Sequence, residues 1–155
     1  MPRMELTLIR HALAEDGADD AARPLSSKGR RRFARSVKTL KGLGLRFDRV
    51  LHSPKRRAVE TAELLAPLCD GEMKSTPLLA RTPGVELWEL LDGEHLAVVG
   101  HEPHLSSLLS WLVTGDDSAG ASYELKKGAV AQLEGDPGPG GMRLRSLLPP
   151  RVLRR

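Results

Sequence analysis

The stretch Leu96–Gly100, LAVVG, is an unbroken apolar run that stops directly before a titratable residue, His101. A short run of this kind, bounded by polar residues, fits a strand that is buried on both faces. Such strands are typical of parallel sheets whose two faces are covered by helices. The run therefore predicts an α/β fold in which LAVVG is one of the buried strands.

The segments on either side of this strand alternate between strand and helix patterns. The helices are expected to begin at Ser26 or Ser27, at Ser53-Pro54 and after Pro103, because each position offers a capping residue or a proline suited to a first turn. The first two helices end near Gly42 and Leu68. The expected strands are Met4–Arg10, Asp48–His52, Glu72–Thr76, Leu96–Gly100, Ser122–Leu125, Ala129–Glu134 and Met142–Leu148.

Strands that alternate with helices imply crossover connections and a sheet covered on both sides. The predicted fold is a three-layer α/β sandwich, with a mostly parallel central sheet flanked by helices. The chain has 155 residues, enough to bury a continuous core without a disulfide or a metal. No internal repeat or linker is evident, so we expect a single domain over residues 1–155.

The composition is that of a soluble globular protein, with 40% apolar and 28% charged residues. No apolar run approaches the roughly 18 residues of a membrane span, and Met1–Arg10 lacks the order of a signal peptide. We therefore expect a cytoplasmic protein that does not bind membranes. The one cysteine, Cys69, lies at the apolar end of a predicted helix and is expected in the core.

The net charge of +4 is compatible with an anionic partner. A protein that binds single-stranded nucleic acid would carry aromatic side chains beside its cations, since the bases stack on them. Aromatic residues make up only 3% of this chain. We therefore expect no nucleic-acid partner. The densest basic runs are Lys28–Arg32, Lys55–Arg57 and the tail with Arg151, Arg154 and Arg155.

Polar residues follow three of the predicted buried strands. Arg10 and His11 end the first strand, His52 ends the second shortly before Arg57, and His101 ends LAVVG. Ligands of open α/β sheets bind beyond the carboxyl ends of the strands. These residues are therefore expected to converge at one edge of the sheet.

The two arginines of the second predicted helix differ in their spacing. Arg56 is four residues before Glu60 and can form a surface ion pair with it. Arg57 lines up with Thr61 and Leu64, nearer the buried side of the helix. Cations in a first helical turn oppose the helix dipole, and a bound phosphate would compensate for them. This spacing favours Arg57 over Arg56 as a ligand of an anion.

Two arginines and two histidines at one site can bind and transfer a phosphoryl group. Guanidinium groups bind phosphate oxygens in a bidentate way and stabilise charge that develops during transfer. Neutral imidazole is a competent nucleophile near neutral pH. We assign the nucleophile to His11, beside Arg10 at its strand end, and we expect His101 to bind phosphate oxygens.

Three motifs together resemble those of the histidine phosphatase superfamily, the phosphoglycerate mutase-like proteins. LIRHALAE resembles the family's Arg-His-Gly signature, SPKRRAVETA its Ser-Pro-x-x-Arg-Ala helix start, and VVGHEPHLS its second-histidine motif. The short length, the segment ARPLSSKG and the motif GHEPHLS are most similar to the SixA-type phosphohistidine phosphatases. The resemblance covers nearly the whole chain.

This resemblance implies a phosphoglycerate mutase-like fold, no metal or other cofactor, and a monomer. It makes His11 the phosphorylated residue, and it places Arg10, Arg57 and His101 around the phosphate as catalytic and substrate-binding residues. The implied substrate is a phosphorylated protein histidine or a small phosphorylated metabolite. Ala12 stands where the family has glycine, which is tolerated if the backbone there needs no positive φ.

One departure from the family bears on the substrate. Phosphomonoesterase members carry a glutamate in the segment where this chain has LLARTPG, Leu78–Gly84, without a carboxylate. An alkoxide leaving group needs a proton from an acid, whereas imidazole leaves more easily. The absence of the acid therefore favours phosphohistidine, unless Glu86 or Glu89 supplies the proton.

Three other functions remain open at this stage. A metal hydrolase built on His101, Glu102 and His104 would need its histidines at i and i+4, but here they are three residues apart with a proline between them. A non-catalytic phosphate-binding module would keep the pocket without turnover. A small-molecule phosphomonoesterase would share the His11 chemistry and differ in its substrate.

Overall fold

The computed structural model describes residues 3–155, which form six strands and four α-helices. None of the helices within residues 3–155 is long and apolar enough to cross a membrane. The strands are β1 (Met4–Arg10), β2 (Arg49–His52), β3 (Met73–Ser75), β4 (His95–Gly100), β5 (Val130–Gly135) and β6 (Met142–Leu148). The α-helices are α1 (Ser27–Gly42), α2 (Arg56–Leu64), α3 (His104–Thr114) and α4 (Pro150–Leu153).

The strands form one sheet in the order β3-β2-β4-β1-β5-β6. The pairs β2–β3, β2–β4 and β1–β4 are parallel, whereas β1–β5 and β5–β6 are antiparallel. This arrangement confirms the predicted mostly parallel sheet. The LAVVG run lies in β4, which is paired on both sides and therefore has no free edge.

Helices cover both faces of the sheet and create two apolar layers. Along β4, Leu96 and Val98 face the layer filled by α3, while Ala97 and Val99 face the layer filled by α1, α2 and α4. All four side chains are buried. The three-layer sandwich is thus confirmed. Cys69 packs against the second layer but is only half-buried, at its margin rather than inside it.

Helix α1 has the boundaries that its sequence predicts. Its N-cap is Ser26, whose hydroxyl oxygen accepts the N–H of Gly29. Phe33, Val37 and Leu40 are buried on the side that faces the sheet. Of the two serines proposed as the cap, Ser26 is therefore the one that caps the helix.

The prediction of a strand at Ser122–Leu125 is wrong, because a 3-10 helix occupies Asp117–Tyr123. Gly120 lies so close to α3 that a Cβ there would be 3.0 Å from the backbone nitrogen of Ser107. The segment therefore packs against α3 instead of joining the sheet. Leu125 follows as a fully buried residue outside any strand.

Helix α2 is shorter than predicted at both ends. It begins at Arg56 with Lys55 as its N-cap, so Ser53-Pro54 forms a turn before the helix instead of its first residues. It ends at Leu64, and a separate 3-10 turn covers Ala66–Leu68. Pro67 explains the ending, since proline offers no N–H for the next hydrogen bond of the α-helical ladder.

Helix α1 makes a close backbone contact with the segment that follows β1. The carbonyl oxygen of Leu13 accepts the N–H of Ser26 at 3.0 Å and lies directly beside Gly29. A Cβ at residue 29 would lie well within 3.0 Å of that oxygen, closer than real Cβ atoms come to other atoms. Glycine is therefore required for this approach.

We predict that Gly29→Ala lowers the free energy of unfolding by about 1–3 kcal/mol, because the added methyl group must push the Leu13 backbone away. Gly42→Ala, in the last turn of the same helix, is the matched control. No atom lies within 4 Å of a Cβ at residue 42, so this change should raise stability by up to about 1 kcal/mol. Urea unfolding of both variants measures the difference, and equal effects would contradict the proposed contact.

Candidate active site

The carboxyl ends of β1, β2 and β4 bring two histidines and a serine together at one edge of the sheet. The N–H of His11 donates to the carbonyl of Gly100 at 3.0 Å, and the N–H of Ser53 donates to that of Val99 at 3.1 Å. The rings of His11 and His101 have centroids 5.2 Å apart. His11 and His101 thus converge at this edge, as their positions at the strand ends predict.

The side chain of His11 has a defined tautomer. Its Nδ1 lies 2.8 Å from the carbonyl oxygen of Ala12, and only 5% of the residue is exposed. A carbonyl oxygen can only accept a hydrogen bond, so Nδ1 carries the proton. When the ring is neutral, the lone pair is therefore on Nε2. This arrangement leaves Nε2 available to attack an electrophile.

Thr61 joins the segment after β1 to helix α2. Its hydroxyl oxygen accepts the N–H of Ala12 at 3.0 Å, and the hydroxyl donates to the carbonyl of Arg57 at 2.7 Å. Every residue of the described chain with a positive φ is a glycine, so Ala12 needs no such conformation. Alanine is therefore accommodated at this position.

Arg57 points into the site, whereas Arg56 points away from it. Arg57 is 6% exposed, and it donates to the backbone carbonyl of Asp20 at 2.8 Å and to its carboxylate at 3.3 Å. Arg56 instead pairs with Glu60 at 3.1 Å on the outer side of α2. The different orientations agree with the spacing of the two arginines in the sequence.

Asp20 belongs to a loop that is closed at its base. An isolated antiparallel bridge pairs Ala14 with Leu25, and the N–H of Glu15 donates to the carbonyl of Pro24. From the far part of this loop, the Asp20 carboxylate also accepts a hydrogen bond from Lys55 at 3.0 Å. The loop thereby lies against the amino end of α2.

Arg10 is held by the segment that precedes β5. Its guanidinium donates to the carbonyl of Leu125 at 2.9 Å. The N–H of Leu125 donates to the carboxylate of Glu102, which also accepts the N–H and hydroxyl of Ser106. Glu102 therefore fixes the peptide that orients Arg10.

His101 is held by Ser53, the residue that directly follows β2. Its Nε2 lies 2.7 Å from the hydroxyl oxygen of Ser53, which also accepts the N–H of Lys55 at 3.2 Å. Ser53 is fully buried. This contact ties the position of the His101 ring to the turn before α2.

The buried polar atoms without a hydrogen-bond partner are concentrated in this site. Within residues 3–155 they are Arg10 Nε, Arg57 Nε and His101 Nδ1. Buried polar groups in proteins are nearly always hydrogen-bonded, and each that is not costs about 1–3 kcal/mol. Three such atoms on three converging residues indicate a site built for an external ligand, and the two guanidinium groups favour an anion.

Burial and neighbouring cations keep both histidines neutral. Burial, together with the charges of Arg57, Arg10 and Lys127, lowers the pKa of His11 to about 4. Burial, together with the neighbouring His11 and Arg57, likewise lowers the pKa of His101 to about 3. Both imidazoles are therefore uncharged near pH 7 and can act as nucleophile or hydrogen-bonding group.

Asp20, unlike the two histidines, is charged at neutral pH. Hydrogen bonds from Lys55 and Arg23, together with the charge of Arg57, hold the pKa of its carboxyl group well below the usual range. Among the carboxylates of residues 3–155, that of Asp20 is the one that hydrogen-bonds directly to a candidate residue, Arg57. Asp20 is consequently ionised at neutral pH and carries no proton to donate.

The two glutamates considered as proton donors lie on the surface. The segment Leu78–Gly84 contains the end of a 3-10 helix, and Glu86 and Glu89 follow in a second 3-10 helix. Both glutamates are exposed, and Glu86 is 3.8 Å from Arg81. Neither of them hydrogen-bonds to a candidate residue.

The residues proposed for a metal hydrolase do not form a metal site. Glu102 is occupied by Ser106 and Leu125, and His101 Nε2 contacts Ser53. In the part of the chain that the structure describes, no three His, Cys, Asp or Glu side chains form a group suited to hold a metal ion.

Sequence reasoning did not identify the residues that position the four candidates. Ser53 and Thr61 lie within SPKRRAVETA, so their place in a functional motif was a usable signal. Glu102 lies within the motif VVGHEPHLS and offered the same signal, whereas Asp20 lies in a polar loop without periodicity. Their contacts are set by tertiary structure alone.

Comparison with known proteins agrees with the family resemblance of the motifs. The family profile of the histidine phosphatase superfamily (branch 1) matches residues 6–81. An uncharacterized protein of Picosynechococcus sp. is 35% identical over 141 residues, which cover 84% of each chain.

Two solved structures are similar over nearly their whole length. The protein histidine phosphatase SixA, solved with tungstate, has a TM-score of 0.82 and 25% identity, covering 97% of this chain and 99% of that one. The phosphoserine phosphatase of Entamoeba histolytica, solved with 3-phosphoglyceric acid, has a TM-score of 0.75 and 17% identity, with the same coverage. At that identity, the second comparison shows a shared fold only.

The neutral histidines predict a loss of stability in acid. Because the pKa of His11 is lower in the folded state than the roughly 6.5 of an unfolded chain, unfolding takes up a proton between about pH 6.5 and about pH 4. Stability should therefore fall as pH decreases through this range, by about 1.4 kcal/mol per pH unit for each such proton.

His11→Gln isolates the contribution of His11, since all other groups still titrate. Urea unfolding at several pH values, in a buffer without multivalent anions, measures the free energy of unfolding. In this variant it should depend less steeply on pH, and the difference in slope should correspond to about one proton. An identical pH dependence in both proteins would mean that His11 is already protonated in the folded state.

Proposed function

This chain belongs to the histidine phosphatase superfamily, and we propose that it hydrolyses protein phosphohistidine, or related phosphoramidates, without a metal. The observation that carries the proposal is the set of unpartnered buried atoms on Arg10, Arg57 and His101 around the neutral His11. We further propose that the protein acts as a cytoplasmic monomer, as its sequence leads us to expect.

In the first step, Nε2 of His11 attacks the phosphorus atom of the substrate. The Nδ1–H donated to Ala12 keeps the lone pair on Nε2 and fixes the ring plane. The lowered pKa means that no proton has to be removed before the attack. As the new P–N bond forms, the bond to the leaving nitrogen breaks and its electron pair goes to that nitrogen.

Arg10, Arg57 and His101 bind the non-bridging oxygens in this step. The two guanidinium groups stay charged and are held in place by Leu125 and Asp20, so they need little rearrangement when negative charge develops. His101 contributes its own hydrogen bond while Ser53 holds the ring. Positioning of this kind before the reaction is the main source of transition-state stabilisation in such sites.

The leaving group determines which substrates can react. A phosphohistidine that is protonated on its other ring nitrogen leaves as neutral imidazole without receiving a proton. An alkyl ester leaves as an alkoxide, which requires an acid at the site. Asp20 is ionised, and Glu86 and Glu89 are exposed. These features support phosphoramidate cleavage over ester cleavage.

Water completes the cycle by attacking the phosphorus of phosphorylated His11. The P–N bond to Nε2 breaks, its electron pair returns to Nε2, and the proton lost by water passes to the released phosphate. The same cations stabilise both steps, because the phosphoryl group occupies one position throughout. His11 is regenerated as the neutral Nδ1–H tautomer.

We predict that Arg57→Ala lowers kcat/KM at least about a hundredfold, because one donor to the developing charge is lost. Arg56→Ala, the adjacent control, should change kcat/KM less than about threefold, since Arg56 pairs with Glu60 outside the site. Steady-state kinetics with phosphoramidate measures both variants, and unfolding curves verify that they are folded. Equal small effects would show that neither arginine binds the phosphoryl group.

The proposed substrate class predicts a clear order of reactivity. The wild-type protein should have a kcat/KM at least about a hundredfold higher for a phosphohistidine peptide than for a sugar phosphate, because the ester lacks a proton donor. His11→Ala should be inactive on both and provides the background rate. A preference for the sugar phosphate would establish a small-molecule phosphomonoesterase, and binding without turnover would establish a non-catalytic phosphate-binding module.

A further inference from the structure

A cationic cavity of about 320 Å³ opens beside the proposed active site. It lies between α1, the segment before β5 and α4, and Arg10 belongs to both the cavity and the site. Its charged lining residues are all positive: Arg10, Arg32, Lys126, Lys127 and Arg154. Leu13, Phe33 and Pro150 add an apolar lining. Low-polarity surroundings strengthen the attraction of such cations for an anion.

Two further pockets adjoin this cavity, and Arg154 lines all three. One adds Arg151 and contains the single carboxylate, Glu124. The other adds Arg35, Lys38 and Arg155. We call six of these cations the cationic strip; they are Arg32, Arg35, Lys38, Lys126, Arg151 and Arg154.

The cations of the strip have no ion-pair partner within the described chain. None of them lies within 4.0 Å of a carboxylate oxygen in residues 3–155. Elsewhere on α1 and α2, Arg30 and Arg56 both pair with Glu60. Unpaired charges of one sign gathered in one place generate a field that attracts a partner of the opposite sign.

We propose that the cationic strip docks acidic side chains of the phosphoprotein substrate, and thereby delivers its phosphohistidine to Arg10 and His11. This inference rests on the proposed function. The strip extends over α1, the segment before β5 and α4, which is more surface than a second charged group of a small metabolite could cover. An acidic protein surface has both the size and the charge to match it.

The lining of the strip does not suit single-stranded nucleic acid. Single-stranded nucleic acid is bound by exposed aromatic rings on which bases stack. The one aromatic residue among the lining residues, Phe33, is only 2% exposed. Charge complementarity without stacking groups therefore favours an acidic polypeptide.

The test compares two phosphohistidine peptides that differ only in flanking residues, glutamate in one and glutamine in the other. The variant Arg32→Ala/Lys126→Ala/Arg154→Ala removes three charges from the strip. The control Arg31→Ala/Lys41→Ala/Lys74→Ala removes three charges from exposed positions outside the cavities. Lys127 is left unchanged because its charge lowers the pKa of His11.

The wild-type protein should have the lower KM for the acidic peptide. The strip variant should raise that KM about tenfold, as expected for the loss of several exposed ion pairs, with kcat unchanged. Its kinetics with the glutamine peptide and with phosphoramidate should equal those of the wild type. The control variant should show wild-type kinetics with all three substrates.

A binding measurement tests docking independently of turnover. Fluorescence anisotropy with the unphosphorylated acidic peptide should show about tenfold weaker binding to the strip variant than to the control variant. Equal affinities, or equal KM values of the wild type for both peptides, would overturn the docking proposal. Binding of single-stranded DNA as tight as that of the peptide would overturn it in favour of nucleic acid. Failure of the wild type to hydrolyse any of the three substrates would overturn the proposed function instead.

Discussion

The parallel pairing of β4 with β1 on one side and with β2 on the other sets the position of the whole site. Backbone hydrogen bonds at the strand ends, from His11 to Gly100 and from Ser53 to Val99, bring three separate parts of the chain to one edge. Side chains alternate along β4 and are buried on both faces, so a shift of one residue would place each of them in the opposite layer. The burial of the two apolar layers therefore also fixes the position of His11, the proposed nucleophile.

The site combines groups whose charges would repel each other if all were ionised. Two buried imidazoles lie near the guanidinium groups of Arg10 and Arg57, and burial resolves the conflict by keeping the imidazoles neutral. The positive charge that remains is partly balanced by the carboxylate of Asp20, which lies in the loop between Ala14 and Leu25. Burial thus neutralises the imidazoles, whereas the guanidinium groups stay charged because their ordinary pKa is far above neutral pH.

The sequence contains most of what determines this site, because strand ends and helix faces follow from local patterns. The apolar runs before His11 and His101 predict their convergence, and helical spacing distinguishes Arg57 from Arg56. Contacts that depend on packing between distant segments could not be predicted. The 3-10 helix at Asp117–Tyr123 arises from the close approach of Gly120 to α3, and the bond from Arg57 to Asp20 depends on a loop without a regular pattern.

The bridge between Ala14 and Leu25 separates the loop that carries Asp20 from the framework that holds His11. Because the base of the loop is closed, residues between Glu15 and Arg23, apart from the Asp20 that holds Arg57, can be added, removed or exchanged with little effect on β1 or α1. Such changes would reshape the rim of the pocket while leaving the nucleophile in place. The loop is therefore a natural point at which evolution, or a protein engineer grafting a new segment, can alter the substrate without rebuilding the enzyme.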